Sequence, residues 1–397
     1  MNYILFDDSS RNNLLPLTFT RPVADIRLGI LTIREKWEKY LGVKTSSKTE
    51  EYLSVKFPTE YTIDADNIWI NGSVCPNIKL LEEIRLLKPY HSLHMGEVLV
   101  AMNSGNEKMK SMQVDERFGV GVKYESHADL LKINHPWDIF SQNGRAINED
   151  FKLLTNGRNS IALSKTNQVI NPENVFVEEG AKLECAILNA STGPIYIGRE
   201  AEIMEGSLVR GPFALCEHST LKLGTKIYGP TTIGPHSKVG GEVNNSVIFG
   251  YSNKAHDGFL GNSVIGEWCN LGADTNNSNL KNNYAEVKLW NYTAERFVST
   301  GLTFCGLIMG DHSKCGINTM FNTGTVVGVN ANIFGAGFPR NFIADFSWGG
   351  AQGVLPYKLA DAFQVAKLVM ERRGLEFAEV DKNILSHIFE LTLKFRK

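Results

Sequence analysis

Aliphatic residues recur at every sixth position in the second half of the chain, at eight consecutive positions of that spacing. A helix needs apolar positions three and four apart, and a lone strand needs them two apart, so this period fits neither. It predicts short strands and turns that stack as a β-solenoid, with three strands to a triangular coil and the aliphatic side chains inside. The eight positions are Ile197, Ile203, Val209, Leu215, Leu221, Ile227, Ile233 and Val239.

The period slips after Val239 and then resumes. An asparagine-rich stretch, residues 273–300, interrupts it once more. The solenoid is therefore expected over residues 166–345, with one inserted loop. The inward positions that we expect after the slip are Val247, Asn253, Phe259, Ile265 and Leu271, and those after the loop are Met309, Cys315, Phe321, Val327 and Ile333.

The two ends of the chain carry other patterns. Residues 1–165 combine apolar strand-like runs, at 3–6 and 67–72, with a helical spacing over 28–41. They predict an α/β domain with an open sheet and binding loops at the strand ends. Residues 346–397 hold two stretches with helical spacing, separated by Gly374. They are expected to form a helical hairpin that caps the open end of the solenoid.

Charge and cysteine content narrow the possible functions. The 397 residues include 41 Lys and Arg against 43 Asp and Glu, a net charge of −2 that gives no reason to expect a nucleic-acid partner. No apolar run approaches the roughly 18 residues that a membrane span needs, and the start of the chain does not look like a secretion signal. Six scattered cysteines without a C-x-x-C pair argue against a zinc knuckle or a disulfide framework. A cytoplasmic protein is expected.

The residues around the repeat resemble a known enzyme family. Residues 254–266 (KAHDGFLGNSVIG) and 270–273 (NLGA) are similar to the hexapeptide-repeat acyltransferases, whose solenoid is a left-handed parallel β-helix. With residues 15–22 (LPLTFTRP) and 136–140 (PWDIF), the chain resembles the bifunctional GlmU enzymes, their shorter relatives and the archaeal sugar-1-phosphate nucleotidylyltransferase/acetyltransferases. The resemblance implies a homotrimer. It also implies N-acetylation of an amino-sugar-1-phosphate (glucosamine-1-phosphate) by acetyl-CoA, then uridylyl transfer from UTP to give UDP-N-acetylglucosamine.

The resemblance makes His256 the catalytic base. An amine must lose a proton as it attacks a thioester, and a neutral imidazole suits that task at pH 7. Two acceptor positions, Tyr228 and Asn244, stand where the family has an arginine and a lysine for the acceptor phosphate. An alternative alignment of the first gives Glu217, and Arg210 is a nearby candidate substitute. The acceptor-sugar residues that the resemblance implies are Asn270, Asn279, Lys254, Asn244, Tyr228 and Phe259.

The resemblance also implies that the asparagine-rich loop covers acetyl-CoA at a subunit boundary. The backbone of the glycine-rich stretch beyond it would contact the acyl donor. The candidate acetyl-CoA residues are Gly316, Gly335 and Ala336.

For the N-terminal domain the resemblance implies nucleotidyl transfer, with Arg11, Arg21 and Thr18 as contacts to the nucleotide phosphates. Three parts of the family pattern are replaced: the glycine-rich loop by residues 7–13 (DDSSRNN), a lysine by Val23, and the metal-binding aspartate by residues 71–73 (NGS). Mg²⁺ is implied only if this domain is active, and the sequence assigns no ligand to it.

Two alternatives remain open. One is a nucleotidyltransferase whose β-helix is an inert oligomerisation scaffold, and the other is a non-catalytic sensor or scaffold that binds a nucleotide sugar. Release of free thiol from acetyl-CoA and of pyrophosphate from UTP separates all three.

Overall fold

The structure, a computed structural model, describes residues 1–62, 65–105 and 122–396. The chain divides into two compact units. The first consists of Met1–Leu14, Thr20–Ile26 and Leu31–Asn134, and the second of Leu15–Phe19, Arg27–Ile30 and His135–Lys397. The expected domain ranges of 1–165, 166–345 and 346–397 stay a prediction; this division places residues 135–165 with the second unit.

The first unit is built on a six-stranded sheet with strand order β2-β1-β3-β5-β4-β6. Its strands are β1 (Asn2–Phe6), β2 (Ser46–Lys48), β3 (Asn67–Asn71), β4 (Ser92–Met95), β5 (Val98–Asn103) and β6 (Lys123–Glu125). Its helices are α1 (Ser10–Asn13), α2 (Ile33–Leu41) and α3 (Ile78–Arg85). Because β1 and β3 pair in parallel, their carboxyl ends open on the same edge of the sheet. The helix expected over 28–41 begins later because Thr32 and Glu35 form a capping box at its start.

The second unit contains a left-handed parallel β-helix with three flat faces. Face one holds β7 (Gln168–Ile170), β10 (Ile187–Asn189), β13 (Leu208–Arg210), β16 (Lys226–Tyr228), β19 (Glu242–Asn244) and β22 (Phe259–Gly261), followed by β25 (Asn276–Asn277) and β30 (Met320–Phe321). Face two holds β8 (Val175–Val177), β11 (Ile195–Ile197), β14 (Phe213–Leu215), β17 (Thr231–Ile233), β20 (Val247–Ile248), β23 (Val264–Ile265), β28 (Ile308–Met309), β31 (Val326–Val327) and β33 (Phe342–Ile343). Face three holds β9 (Lys182–Leu183), β12 (Glu202–Ile203), β15 (Thr220–Leu221), β18 (Lys238–Val239), β21 (Asn253–Lys254), β24 (Asn270–Leu271), β29 (Lys314–Cys315), β32 (Asn332–Ile333), β34 (Ser347–Gly350) and β35 (Gly353–Pro356).

The predicted aliphatic frame fills the interior of the β-helix. All eight positions from 197 to 239 and all five from 309 to 333 are buried there, as expected. Between them the frame differs from the prediction, because two successive steps are shorter than six residues: four residues from Val239 to Val243, across the corner at Gly240 and Gly241, and five from Val243 to Ile248. A further step of five residues, from Leu260 to Ile265, restores the predicted frame. Val247, Asn253 and Phe259 therefore point away from the interior. The inward positions are Val243, Ile248, Lys254, Leu260, Ile265 and Leu271.

Three further pieces complete the second unit. Helix α4 (Pro136–Thr155) packs on face two, and a hairpin of β26 (Lys288–Asn291) and β27 (Arg296–Ser299) is inserted between coils. Helices α5 (Leu359–Glu371) and α6 (Glu379–Leu391) follow the last coil, where Phe389 packs edge-on against Phe346 at 5.1 Å. In the part of the chain that the structure describes, no helix combines the length and the apolar character that crossing a membrane requires.

Candidate functional site

His256 lies in a turn, residues 255–258, that joins face three to face one; we call this turn the histidine corner. His256 is exposed, whereas the backbone of the turn lies between the turns of the two neighbouring coils. On one side a Cβ on Gly241 would come within 2.8 Å of Asp257 Cα, so the approach requires glycine, which has a φ of +75° there. On the other side Asp274 N donates to Asp257 O at 3.1 Å. The sequence thus produces an exposed imidazole on a fixed backbone.

Lys254 lies inside the β-helix beneath this corner. Its side chain is 2% exposed, and its Nζ donates to Gly240 O at 3.0 Å and to His256 O at 2.7 Å. Burial lowers the pKa of this amine to about 8, although the carboxylates of Asp257 and Asp274 act to raise it. The expected contact between Lys254 and an acceptor sugar is therefore corrected. The amine points into the β-helix, where it binds two backbone carbonyl groups of neighbouring turns.

Face one presents most of the predicted acceptor residues beside the histidine corner. Tyr228, Asn244 and Gly261 form one column on three consecutive coils, because their strands pair in register. The ring of Phe259 and the amide of Asn279 both lie against Gly261, where a Cβ would come within 2.5 Å of the ring and 2.7 Å of the amide nitrogen. The structure thus brings Tyr228, Asn244, Phe259 and Asn279 onto one surface, which we call the acceptor surface.

The acceptor surface is polar and carries a carboxylate. The hydroxyl of Tyr228 donates to Glu242, and burial together with this hydrogen bond raises the pKa of Tyr228. Asn279 Nδ2 donates to Asn262 Oδ1 at 2.8 Å. Next along this face, in β13, comes the exposed side chain of Arg210. The exposed cations available to an anionic group on this face are Lys226, in register with Glu242, and Arg210.

The structure places Asn270 apart from the acceptor surface. It is exposed in β24 on face three, in register with Asn253 and Lys314. The alternative position Glu217 lies at a different corner, between faces two and three. Neither shares a face with Phe259.

Two asparagines that support the site were not recognised in the sequence. Asn276 Oδ1 accepts from Phe259 N at 2.7 Å, and Asn277 Oδ1 accepts from Gly261 N at 2.9 Å. These side chains replace the backbone partners that the next coil would supply to β22. The asparagine-rich composition of this stretch was the sequence signal for such support, but it predicted only a loop.

The predicted acetyl-CoA residues lie along the same edge of the β-helix as the histidine corner. Successive coils turn here, and backbone hydrogen bonds join adjacent turns, among them Asn318 N to Ala273 O at 2.8 Å and Gly316 N to Ile333 O at 2.7 Å. Gly316 lies two coils beyond His256, and Gly335 with Ala336 three, which is ~10 Å and ~14 Å at strand spacing. We call this edge the corner ladder; its turns are residues 255–258, 272–275, 316–319 and 334–337.

The inserted hairpin is attached to the last coils of the β-helix. The ring of Tyr292 lies 5.5 Å from Phe342 and 5.3 Å from Phe395, and its hydroxyl donates to Asp345 Oδ2 at 2.8 Å. Burial raises the pKa of Asp345 to about 6. The expectation that the asparagine-rich loop covers acetyl-CoA at a subunit boundary stays a prediction.

The first unit contains a cavity of about 590 Å³ where β1 and β3 end. Such strand ends are the usual ligand position in open α/β sheets. Among the described residues, its charged lining consists of Asp8, Glu97, Lys123 and Glu125, and His94 also lines it. Lys132 pairs with Asp8 at 3.1 Å, so these described residues offer a triphosphate little free positive charge.

The predicted phosphate contacts lie elsewhere. Arg11 is buried, and its guanidinium donates to Asp7 Oδ2 at 3.2 Å, to Arg21 O at 3.0 Å and to the Tyr52 hydroxyl at 3.1 Å. Arg21 is buried in the same unit, whereas Thr18 is buried in the second unit. Of the described residues that line the cavity, none is one of these three.

The carboxylate nearest to the strand ends is not free to bind Mg²⁺. Asp8 Oδ1 accepts from the backbone and hydroxyl of Ser10, and Oδ2 accepts from Asn71 at 2.9 Å and pairs with Lys132 at 3.1 Å. These donors lower the pKa of Asp8 against the opposing effect of burial, the largest single contribution. Within residues 1–62, 65–105 and 122–396, no three His, Cys, Asp or Glu side chains converge as metal ligands. The residues present do not fit a resident metal.

Comparison with known proteins places this arrangement in a family. A family model for sugar nucleotidyl transferases matches residues 3–159. The chain is 30% identical over 392 residues to the bifunctional sugar-1-phosphate nucleotidylyltransferase/acetyltransferase of Sulfurisphaera tokodaii, and the alignment covers 84% of this chain and 96% of that protein. The chain belongs to this family of bifunctional nucleotidylyltransferase/acetyltransferases.

More distant similarities concern parts of the molecule. The chain is 32% identical over 198 residues to the bifunctional protein GlmU of Methanocaldococcus jannaschii, which covers 50% of this chain but only 42% of that protein. The crystal structure of an Arabidopsis UDP-N-acetylglucosamine acyltransferase aligns with 59% of this chain and 82% of its own, at 15% identity and a TM-score of 0.24. That value supports no argument about function. As a member of the bifunctional family the protein is a transferase.

Proposed function

We propose that the β-helix of this bifunctional enzyme transfers an acetyl group from acetyl-CoA to the amine of an amino-sugar-1-phosphate, with His256 as the general base. The observation that carries this proposal is the position of the histidine corner. Its exposed imidazole lies where the acceptor surface meets the corner ladder, so an amine and a thioester can approach it from two directions.

The reaction needs only one proton acceptor. As the amine nitrogen bonds to the thioester carbonyl carbon, a ring nitrogen of His256 takes the proton that the amine loses. The carbon–sulfur bond then breaks, and the coenzyme A sulfur leaves with that proton as a free thiol. The tetrahedral intermediate of this attack carries an oxyanion, which requires a hydrogen-bond donor. Backbone N–H groups of the corner ladder are candidates. No covalent enzyme intermediate is involved.

The acceptor would be a sugar with an anionic substituent, and glucosamine-1-phosphate is our first candidate. Asn244, Phe259 and Asn279 offer amide groups and an apolar ring to a sugar. Lys226 and Arg210 are exposed cations on this face, and we assign the anionic end of the acceptor to Arg210, because Lys226 lies in register with the carboxylate of Glu242. A nucleotide-linked amino sugar, whose diphosphate extends further, is the alternative acceptor.

The acyl donor would lie along the corner ladder. Gly316, Gly335 and Ala336 expose backbone there, and Ile317 between them presents an apolar side chain that is 71% exposed. An apolar side chain beside bare backbone suits the pantetheine arm of acetyl-CoA, which carries both amides and methylenes.

The first unit would transfer a nucleotidyl group, uridylyl from UTP, to the acetylated sugar phosphate. Support comes from the sugar nucleotidyl transferase model over residues 3–159. Since the residues of the cavity do not fit a resident metal, any Mg²⁺ would have to arrive with the nucleotide. We place the enzyme in the cytoplasm, where both co-substrates are found.

A homotrimer is the assembly that we propose. Ile187 and Leu208 face outward side by side on adjacent strands of face one, and Ile170 lies on the strand at the other side of Ile187, diagonally from it. All three are exposed, which makes an apolar patch on a flat sheet face. Such a patch is typical of a protein interface, and a second and third copy of this chain are the proposed partners.

The test is an assay of free-thiol release from acetyl-CoA across a panel of amino-sugar phosphates and nucleotide amino sugars, with pyrophosphate release from UTP measured in parallel. Wild type should release thiol with one acceptor class, and His256→Ala should lose at least ~10²-fold of that rate. Pyrophosphate release from UTP, measured with the N-acetylated sugar-1-phosphate supplied, should be unchanged in this variant. Pyrophosphate release without thiol release, or an equally active His256→Ala variant, would overturn the acetyl-transfer proposal.

A further inference from the structure

We propose that Lys254 is a positioning residue for acetyl transfer, whose buried amine fixes the backbone of the histidine corner and thereby the direction of the His256 side chain. This inference rests on the proposed acetyl transfer and adds to it a residue that touches neither substrate. It also explains why a lysine stands at an inward position of the β-helix.

Lys254 occupies an interior that is otherwise apolar around it. Its register partner on the preceding coil is the buried Val239, and the inward position of the next coil is the buried Leu271. An amine at such a position disturbs the fold, because burial disfavours its charged form and lowers its pKa to about 8. An aliphatic residue would pack there as its neighbours do, so packing alone gives no reason for a lysine.

The two hydrogen bonds of Lys254 connect the turn at Gly240 with the histidine corner, which is the next turn along the same edge of the β-helix. Its Nζ donates to Gly240 O at 3.0 Å, on the preceding coil, and to His256 O at 2.7 Å, in the histidine corner itself. Because the carbonyl and the Cβ of His256 belong to the same residue, fixing the carbonyl restricts the rotation that would swing the imidazole. The amine thus acts on His256 through the backbone.

The other contacts of the histidine corner do not restrain this rotation. Gly241 lies against the turn on one side, and Asp274 N binds Asp257 O on the other, so both hold the turn along the axis of the β-helix. Among the contacts described for this turn, the one from the interior comes from Lys254. Without it, the turn would be free to tilt outward, and displacements near 1 Å at a reacting group cost up to ~10²-fold in rate.

Lys314 provides a matched control. It also belongs to face three, burial also lowers its pKa to about 8, and its Nζ donates to the carbonyl of His312 at 2.7 Å. That carbonyl lies at the corner between faces two and three, away from His256. Lys314 occupies the half-buried outward position beside the inward Cys315, so Lys314→Met tests whether the loss of a lysine that binds a backbone carbonyl away from His256 affects the rate.

The experiment compares wild type, Lys254→Met, Lys254→Leu, Lys314→Met and His256→Ala for thiol release, Michaelis constants and melting temperature. Lys254→Met should lose at least ~10-fold in kcat, with the KM for acetyl-CoA within about twofold of wild type and the melting temperature within a few degrees. Lys314→Met should keep the kcat of wild type. If Lys254→Met fails to fold, Lys254→Leu, which matches the neighbouring inward residues, replaces it.

A Lys254 variant with the kcat of wild type would overturn the inference while leaving acetyl transfer in place, provided that His256→Ala is inactive. A raised KM for acetyl-CoA with unchanged kcat, or an equal loss of kcat in Lys314→Met, would overturn it as well. Absence of thiol release from wild type would instead remove the proposed function on which the inference rests.

Discussion

Burial decides what the charged residues of the first unit do. The Asp7 carboxylate is buried, and this raises its pKa, while the guanidinium of Arg11 beside it acts to lower the pKa. Asp7 also accepts from Val23 N at 2.8 Å and from the hydroxyl of Thr49. Arg11 therefore neutralises a carboxylate that orders the loop after β1, and its sequence neighbourhood alone made it look like a phosphate contact.

Replacing Arg11 with alanine should destabilise the first unit by about 3–5 kcal/mol, because the buried Asp7 would lose its cation. The measurement is the urea-induced unfolding of the full chain, followed by fluorescence. Arg145→Ala, which removes a half-exposed ion pair with Glu149, is the control and should cost less than about 1 kcal/mol. An Arg11→Ala variant of wild-type stability with a raised KM for UTP would restore the phosphate-binding role.

At the scale of elements, the inserted hairpin depends on one buried carboxyl group. Asp345 Oδ1 accepts from Val329 N at 2.6 Å, and Oδ2 accepts from the hydroxyl of Tyr292 in the hairpin loop. Burial raises the pKa of Asp345 from 3.8 to about 6, so the folded protein holds this proton more tightly than the unfolded chain. The stability that the group contributes is complete below pH 4 and is lost as the pH rises through 6.

The loss should amount to roughly 3 kcal/mol between pH 4 and pH 7, since one pKa unit is about 1.4 kcal/mol. Asp345→Asn should remove this part of the pH dependence, as melting temperatures across that range would show. Tyr292→Phe keeps the ring but removes a hydroxyl that lowers the pKa of Asp345, so its pH dependence should be steeper than that of wild type. Identical slopes for wild type and Asp345→Asn would contradict this account.

At the scale of the whole molecule, a β-helix carries its residues outward on flat faces, where rows of side chains line up across coils. On face one the first coils present the apolar pair Ile187 and Leu208, and the later coils present the acceptor surface. A parallel sheet face of this kind is normally covered. We therefore expect the early coils to serve assembly and the later coils to serve catalysis.

Leu208→Glu should prevent the trimer from forming, because it places a charge beside Ile187 in the apolar patch. Sedimentation analysis should give the mass of three 44.2 kDa chains for wild type and of one chain for the variant. Leu86→Glu, at an exposed leucine of the first unit, is the matched control and should sediment as wild type does. A trimeric Leu208→Glu protein would exclude this patch as the interface.

The sequence by itself determined the β-helix, most of its interior and the helices at its end. Those features are periodic or local. Eight aliphatic residues at a six-residue spacing are buried together when short strands and turns form a coil with these residues inside. The motif around His256 could be recognised for the same reason: its residues are adjacent in the chain. The roles of the individual residues within the site could not be predicted from the sequence pattern.

Tertiary structure decided which way individual side chains point. Two short steps, from Val239 to Val243 and from Val243 to Ile248, shifted the frame, so that Lys254 turned inward and Phe259 outward, opposite to the expectation from the spacing. Arg11 became a structural cation for the same kind of reason, since its partner Asp7 is buried by strands that come from elsewhere in the chain. Corner length and long-range burial are properties of the assembled coil, and no local pattern encodes them.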